Sequence, residues 1–368
     1  MARTIRLTMA QALTRFLCRQ MTEIDGIKTP IFGGVWAIFG HGNVAGMGEA
    51  LYGVRDELPT FRAHNEQAMA HAAIGFAKAS FRRRFMATTS SIGPGALNMV
   101  TAAALAHVNR LPVLLLPGDV FANRIPDPVL QQAEDFSDGT ATVNDCFRPV
   151  SRYFDRITRP EQIIPALSRA MQVLTDPAEC GPVTLALCQD VQAEAFDYPE
   201  SFFAERVWIP RRSRPDRHEL TAAALALKAA KKPLIVAGGG VLYSQASGEL
   251  AKFAQKTGIP VCETQGGKSS LPNEHPLNMA AVGVTGTSAA NLLAEEADLV
   301  LAVGTRLQDF TTGSWALFRN EGKTIIGLNV QAFDAGKHRA LPLVADAAEG
   351  LAELGSALEG WKAPASWT

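Results

Sequence analysis

Hydrophobic and polar positions alternate along this chain in two rhythms, and the switches between them lay out its elements. From Met9 to Gln20 apolar residues recur at the three-to-four spacing of a helix with one buried face. Thr8 and Gln11 stand at the spacing of a capping box, where two side chains satisfy free N–H groups at the helix start. Pro30 to Phe39 predicts a strand leading into the glycine-rich loop Gly40-His41-Gly42-Asn43. Asn65 to Ala79 returns to the helical period, and Phe85 to Thr89 predicts a short strand. Gly93-Pro94-Gly95 turns into a strongly apolar helix through His107. Leu111 to Leu116 is apolar without a break, as in a strand buried on both faces of a parallel sheet.

The same alternation resumes further on. Leu234 to Ala237 predicts a strand that ends in Gly238-Gly239-Gly240, followed by a helix from Ala246 to Lys256. Ile259 to Cys262, Leu299 to Val303 and Thr324 to Leu328 predict three more strands. Strands alternating with helices imply α/β architecture with doubly wound parallel sheets. Between the two runs lies the polar, Pro- and Arg-rich stretch Ile209 to Pro215. The expected organisation is a first domain over 1–190, a linker over 191–216, a second, Rossmann-like domain over 217–358 and a tail over 359–368.

Composition narrows the class. The chain has 368 residues, enough for two domains, and its 47% hydrophobic and 19% charged residues suit buried cores rather than disorder. The net charge of -1 gives no electrostatic case for nucleic acid or an anionic membrane. Arg82-Arg83-Arg84 is too short to change that and reads as a solvated face. The cysteines, 18, 146, 180, 188 and 262, form no C-x-x-C pair, so neither a disulfide framework nor a zinc site is expected, and a reducing cytoplasm fits. Arginines interrupt the N-terminal apolar run, so it reads as neither signal peptide nor membrane span.

Four places offer chemistry, each beside a plainer explanation. Glu66 opens the 65–79 helix. A helix-start acid gains from the helix dipole, which is reason enough for it, but a carboxyl in an apolar setting can also share a proton with a ligand nitrogen. The loop at Gly40 allows close backbone approach, and His41 is its one imidazole; an ordinary strand-to-helix turn explains it equally. Gly93-Pro94-Gly95 lacks the lysine of a phosphate-binding loop and reads as a turn. Gly238 to Gly240, with Gly304-Thr305-Arg306, falls short of a dinucleotide fingerprint and reads as tight turns.

Taken in order, these pieces resemble the acetolactate-synthase-like family of thiamine-diphosphate enzymes over nearly the whole chain. Residues 64–78 resemble the family's activating-glutamate helix, with Glu66 at the glutamate. Residues 93–118, from Gly93-Pro94-Gly95 through Asn98 to Gly118, resemble its next helix and strand. Residues 233–310 resemble its central domain, including Thr257 to Val261, His275-Pro276-Leu277 and Gly304-Thr305-Arg306. Two departures, Asn65 in place of the usual His before the glutamate and Gly40-His41-Gly42 in place of Pro-Gly-Gly, are similar to a branch that hydrolyses a carbon–carbon bond of a cyclic 1,2-diketone. Pyruvate condensation of the acetolactate type is the alternative, as is a non-catalytic nucleotide-binding or regulatory fragment.

The resemblance implies thiamine diphosphate as cofactor, with Glu66 donating to N1′ of its aminopyrimidine and Pro94 and Asn98 also in contact. His41, Asn43 and Gln132 become candidates to orient the small-molecule substrate or water. Mg²⁺ and the diphosphate are expected on a third domain carrying Gly-Asp-Gly and a later Asn. Neither Asp138-Gly139 nor Gly118-Asp119-Val120 meets that pattern, so no metal ligand is assigned in this chain. The expectation is a fragment, a proteolytic product or one half of a split enzyme, inactive alone. A homo-oligomer, dimer or tetramer, is implied because the family's site lies between subunits. Some relatives bind FAD where Arg306 and Gly238 to Gly240 stand; here an empty site is expected.

Overall fold

The computed structural model describes residues 3–126, 128–133, 135–319 and 322–367. The chain divides into two compact units, Met1–Pro210 and Arg211–Thr368. Each is built on a six-stranded sheet whose strands all run parallel, as the hydrophobic pattern predicts.

In the first unit the strands are β1 (Thr4–Thr8), β2 (Gln20–Ile24), β3 (Ile27–Pro30), β4 (Phe32–Ala37), β5 (Thr60–Phe61), β6 (Phe85–Ser90), β7 (Val113–Asp119), β8 (Tyr153–Ile157), β9 (Pro182–Cys188), β10 (Ala195–Pro199) and β11 (Arg206–Trp208). The main sheet has the order β5-β4-β6-β7-β9-β8. Residues 113–119 and 182–188 are buried throughout, which explains their unbroken apolar runs. The helices are α1 (Met9–Cys18), α2 (Gly46–Gly53), α3 (Glu66–Ala79), α4 (Pro94–Leu97), α5 (Val100–Asn109) and α6 (Ile163–Thr175). The Thr8–Gln11 capping box forms at the start of α1. The helix expected from Pro94 to His107 is broken at Asn98-Met99 into α4 and α5.

The segment expected as a linker is different. Residues 195–199 form β10, antiparallel to β1, and 206–208 form β11, parallel to β2. Residues 191–208 thus carry short, partly exposed edge strands rather than a free connection. The buried Tyr198 ties this segment down by donating its hydroxyl to Pro160 O at 2.8 Å.

The second unit holds β12 (Pro233–Ala237), β13 (Val261–Glu263), β14 (Asn278–Ala281), β15 (Leu299–Val303), β16 (Thr324–Asn329) and β17 (Leu341–Val344), in the order β14-β13-β12-β15-β16-β17. The expected tail also packs: Ala363 N donates to Thr257 O at 2.7 Å, and Trp367 Nε1 to Pro233 O at 2.8 Å. A short apolar segment with two tryptophans finds burial against its own unit, which composition alone does not reveal.

Candidate functional site

The carboxyl ends of parallel strands are where open α/β sheets take ligands. In the first unit, the turns leaving β4, β6 and β7 meet there beside the start of α3. Asn65 caps α3, its Oδ1 accepting from Ala68 N at 2.7 Å. Met69, Ala70, Ala73, Ile74 and Ala77 bury the inner face of the helix. This fixes Glu66 at the first helical position, half-buried, with the positive helix end behind it.

Asn98, at the break between α4 and α5, donates Nδ2 to Glu66 Oε2 at 3.0 Å. The other oxygen, Oε1, faces Gly95. A Cβ on Gly95 would lie 3.0 Å from Oε1 and 2.3 Å from Ser91 Oγ, so only glycine fits between these two side chains. Gly93 turns the chain into α4 at φ 67°, a conformation that favours glycine, and a Cβ there would strike Gln131 O at 1.8 Å. Pro94 begins α4 and is exposed.

The β4 turn closes on the β6 turn through backbone bonds, Ile38 N to Thr89 O at 3.1 Å and Ile92 N to His41 O at 2.9 Å. His41 is half-buried there. Asn43 is 2% exposed. Its Oδ1 accepts from Gly40 N at 3.0 Å, and its Nδ2 donates to Ile38 O at 3.1 Å and Thr89 Oγ1 at 3.2 Å. Both amide hydrogens are thereby committed to the protein. The expected substrate role of Asn43 is corrected to shaping the loop. Gln132 differs: neither polar atom of its amide contacts water or has a hydrogen-bond partner among the described residues. Its neighbour Gln131 lies against Gly93, so Gln132 is brought to the edge of the site. The structure thus gathers Glu66, Asn98 and Pro94, with His41 and Gln132 on flanking turns.

Sequence reasoning missed three supports. Gln192, 1% exposed, donates to Gly42 O at 2.6 Å and Leu187 O at 3.1 Å and accepts from Met47 N, clamping the loop from within the expected linker. At the end of β7 the fully buried Asp119 accepts from Arg156 Nε at 2.8 Å. Arg156 also reaches Thr142 at 2.8 Å and Asp145 at 3.0 Å. Burial works to lower the Arg156 pKa, but the Asp119 and Asp145 carboxylates outweigh it and hold it above its ordinary value. For Asp145, burial works to raise the pKa, but the Thr142 N–H and the Arg148 and Arg156 guanidiniums bring it below its ordinary value. The third is Ser91, whose side chain is packed between Gly40 and Gly95. No spacing signal marks any of them; they become visible only once strands far apart in sequence are adjacent.

In the second unit the strand-end glycines face one another. Gly240 N donates to Gly304 O at 2.9 Å, and a Cβ on Gly240 would lie 2.5 Å from Gly304 Cα. These glycines serve backbone-on-backbone packing, in keeping with tight turns.

Residues 35–138 match the thiamine pyrophosphate enzyme, N-terminal TPP binding domain, and residues 220–354 match the thiamine pyrophosphate enzyme, central domain. The chain belongs to the thiamine pyrophosphate enzyme family. It is 53% identical over 355 residues to the 3D-(3,5/4)-trihydroxycyclohexane-1,2-dione hydrolase of Geobacillus thermodenitrificans, covering 96% of this chain and 55% of that protein. It is 50% identical over 365 residues to 3D-(3,5/4)-trihydroxycyclohexane-1,2-dione hydrolase 2 of Bacillus cereus, covering 99% and 57%. The chain spans about half the length of the relatives it matches.

The residues present fit the pyrimidine half of thiamine diphosphate. Glu66 Oε2 is held by Asn98, while Oε1 has no hydrogen-bond partner among the described residues. For the magnesium diphosphate half, no group of three or more His, Cys, Asp or Glu able to hold a metal occurs among the described residues. No helix among them is long and apolar enough to cross a membrane.

Proposed function

We propose that this chain supplies the pyrimidine-binding and central domains of a thiamine-diphosphate-dependent hydrolase. Its reaction opens trihydroxycyclohexane-1,2-dione to 5-deoxy-glucuronate by cleaving a carbon–carbon bond, a step of myo-inositol catabolism. The observation that carries the cofactor half of this reading is the Asn98–Glu66 hydrogen bond, which leaves Oε1 without a partner among the described residues. The names of relatives about 50% identical support the substrate. The domain boundary that fits best is Pro210 rather than residue 190, because β10 and β11 complete the first unit.

When bound, the cofactor supplies a nucleophilic thiazolium carbon able to attack a ketone. Glu66 shares a proton with the ring nitrogen N1′ through Oε1, a general acid–base role. Asn98 holds Oε2 by its amide hydrogen bond. Pro94 borders the ring. Gln132 and His41 orient the dione or the water that adds before the ring bond breaks; an amide with both polar atoms unpaired among the described residues gains from a polar ligand.

Mg²⁺ and the diphosphate are assigned to a further segment of the kind present in the longer relatives. A homo-oligomer, a dimer or a tetramer, is part of the proposal. It is supported by exposed Leu97, Leu105 and Val108 beside the small exposed residues Ala68, Ala72 and Gly75. We place the enzyme in the cytoplasm, free of nucleic-acid and membrane partners.

The test mixes this chain with a chain carrying the remaining segment and assays the cyclic dione and pyruvate in parallel. Dione hydrolysis lost in Glu66→Gln supports the proposal. Acetolactate from pyruvate in place of dione turnover refutes the substrate, and dione turnover by the isolated chain refutes the division of the site.

A further inference from the structure

The two oxygens of Glu66 are not equivalent. Oε2 is taken by Asn98. Oε1 faces the space where Gly95 lacks a side chain, and Ser91 Oγ borders that same space. A single point, the position of a Cβ on Gly95, is 3.0 Å from Oε1 and 2.3 Å from Ser91 Oγ. Ser91 is also wedged on its other side: a Cβ on Gly40 would lie 2.9 Å from Ser91 Cβ. The two turns that build the site thus leave room for this side chain only because both present glycine to it. Ser91 follows the last residue of β6, so its backbone is carried by the sheet.

We propose that Ser91 is a positioning residue for Glu66. Ser91 Oγ makes no hydrogen bond to the carboxyl among the described residues; it turns to donate to Oε1 as a ring nitrogen enters beside Gly95, completing the hold that Asn98 already has on Oε2. This rests on the reading of Glu66 as the partner of N1′. A hydroxyl both donates and accepts, so it follows Oε1 whether the shared proton sits on the carboxyl or on the ligand. Two donors on one carboxylate hold it in one plane, where a single donor leaves it free to swing. Ser91 itself does not exchange the proton.

The test compares thiamine with its analogue carrying carbon in place of N1′, by ligand-observed NMR titration of the full chain. The wild-type chain binds thiamine more tightly than the analogue. In Ser91→Ala that preference falls about fivefold, the share of one hydrogen bond. A merely structural role weakens both ligands alike and leaves their ratio unchanged. An unchanged ratio in Ser91→Ala, with circular dichroism showing the fold intact, overturns the role of Ser91 while the Glu66 reading stands. A wild-type chain that does not distinguish the two ligands overturns both.

Discussion

Replacing Asn43 by alanine separates shaping the site from touching the substrate. The side chain is 2% exposed and makes three hydrogen bonds, to Gly40 N, Ile38 O and Thr89 Oγ1. Alanine leaves the Gly40 N–H and the Ile38 carbonyl without these partners, while Thr89 keeps its bond to Leu116 O at 2.9 Å. A buried group stripped of its partner costs about 1–3 kcal/mol. Two such groups, partly relieved by water entering at the loop, give a loss of about 2–4 kcal/mol. For a unit of this size that lowers the melting temperature by roughly 5–15 °C. Differential scanning calorimetry of the full chain reads it as a fall in the transition of the first unit, with that of the second unmoved. Asn43→Asp keeps the Gly40 bond but turns a carboxylate oxygen on the Ile38 carbonyl, so its loss is comparable. Unchanged melting in Asn43→Ala, with only ligand binding weakened, refutes the reasoning and returns Asn43 to the substrate.

Two further outcomes follow from the ion pairs at the end of β7. Arg156→Ala strands the fully buried Asp119 and destabilises the first unit by about 3–5 kcal/mol, whereas the double change Asp119→Asn with Arg156→Leu loses less in urea unfolding; additive losses rule out the coupling. Asp145 is held below its ordinary value of 3.8, so its contribution is fully present above that pH and is lost as pH falls through its lower folded value. Asp145→Asn therefore lowers stability at neutral pH, and its difference from the wild type closes as pH falls below about 4; a difference that persists at low pH contradicts the reasoning.

The alternation of apolar runs made both parallel sheets legible, because a strand buried on two faces has few sequences open to it. The helix of Glu66 was equally plain: Asn65 caps it and small apolar residues line its inner face. What stayed hidden depends on partners far away in sequence. Residues 195–199 and 206–208 are short, half-exposed strands, and only pairing with residues 4–8 and 20–22 distinguishes them from a linker. Asn43 and Gln132 both read as polar loop residues, yet one spends its amide on its own loop and the other finds no partner for it among the described residues. Sequence reports that such a side chain is polar, not where its hydrogen bonds go. Gln192 and Ser91 escaped for the same reason.

The pairing of β1 with β10 has a consequence for how the protein is made. During synthesis Thr4 leaves the ribosome long before its partner Pro199 exists. At roughly 5–20 residues per second the interval is about 10–40 s. Throughout it the nascent chain exposes strand edges open to other chains. The first unit is therefore expected to lean on chaperones until residue 208 has emerged, and slowing translation downstream of that codon brings no further gain in yield.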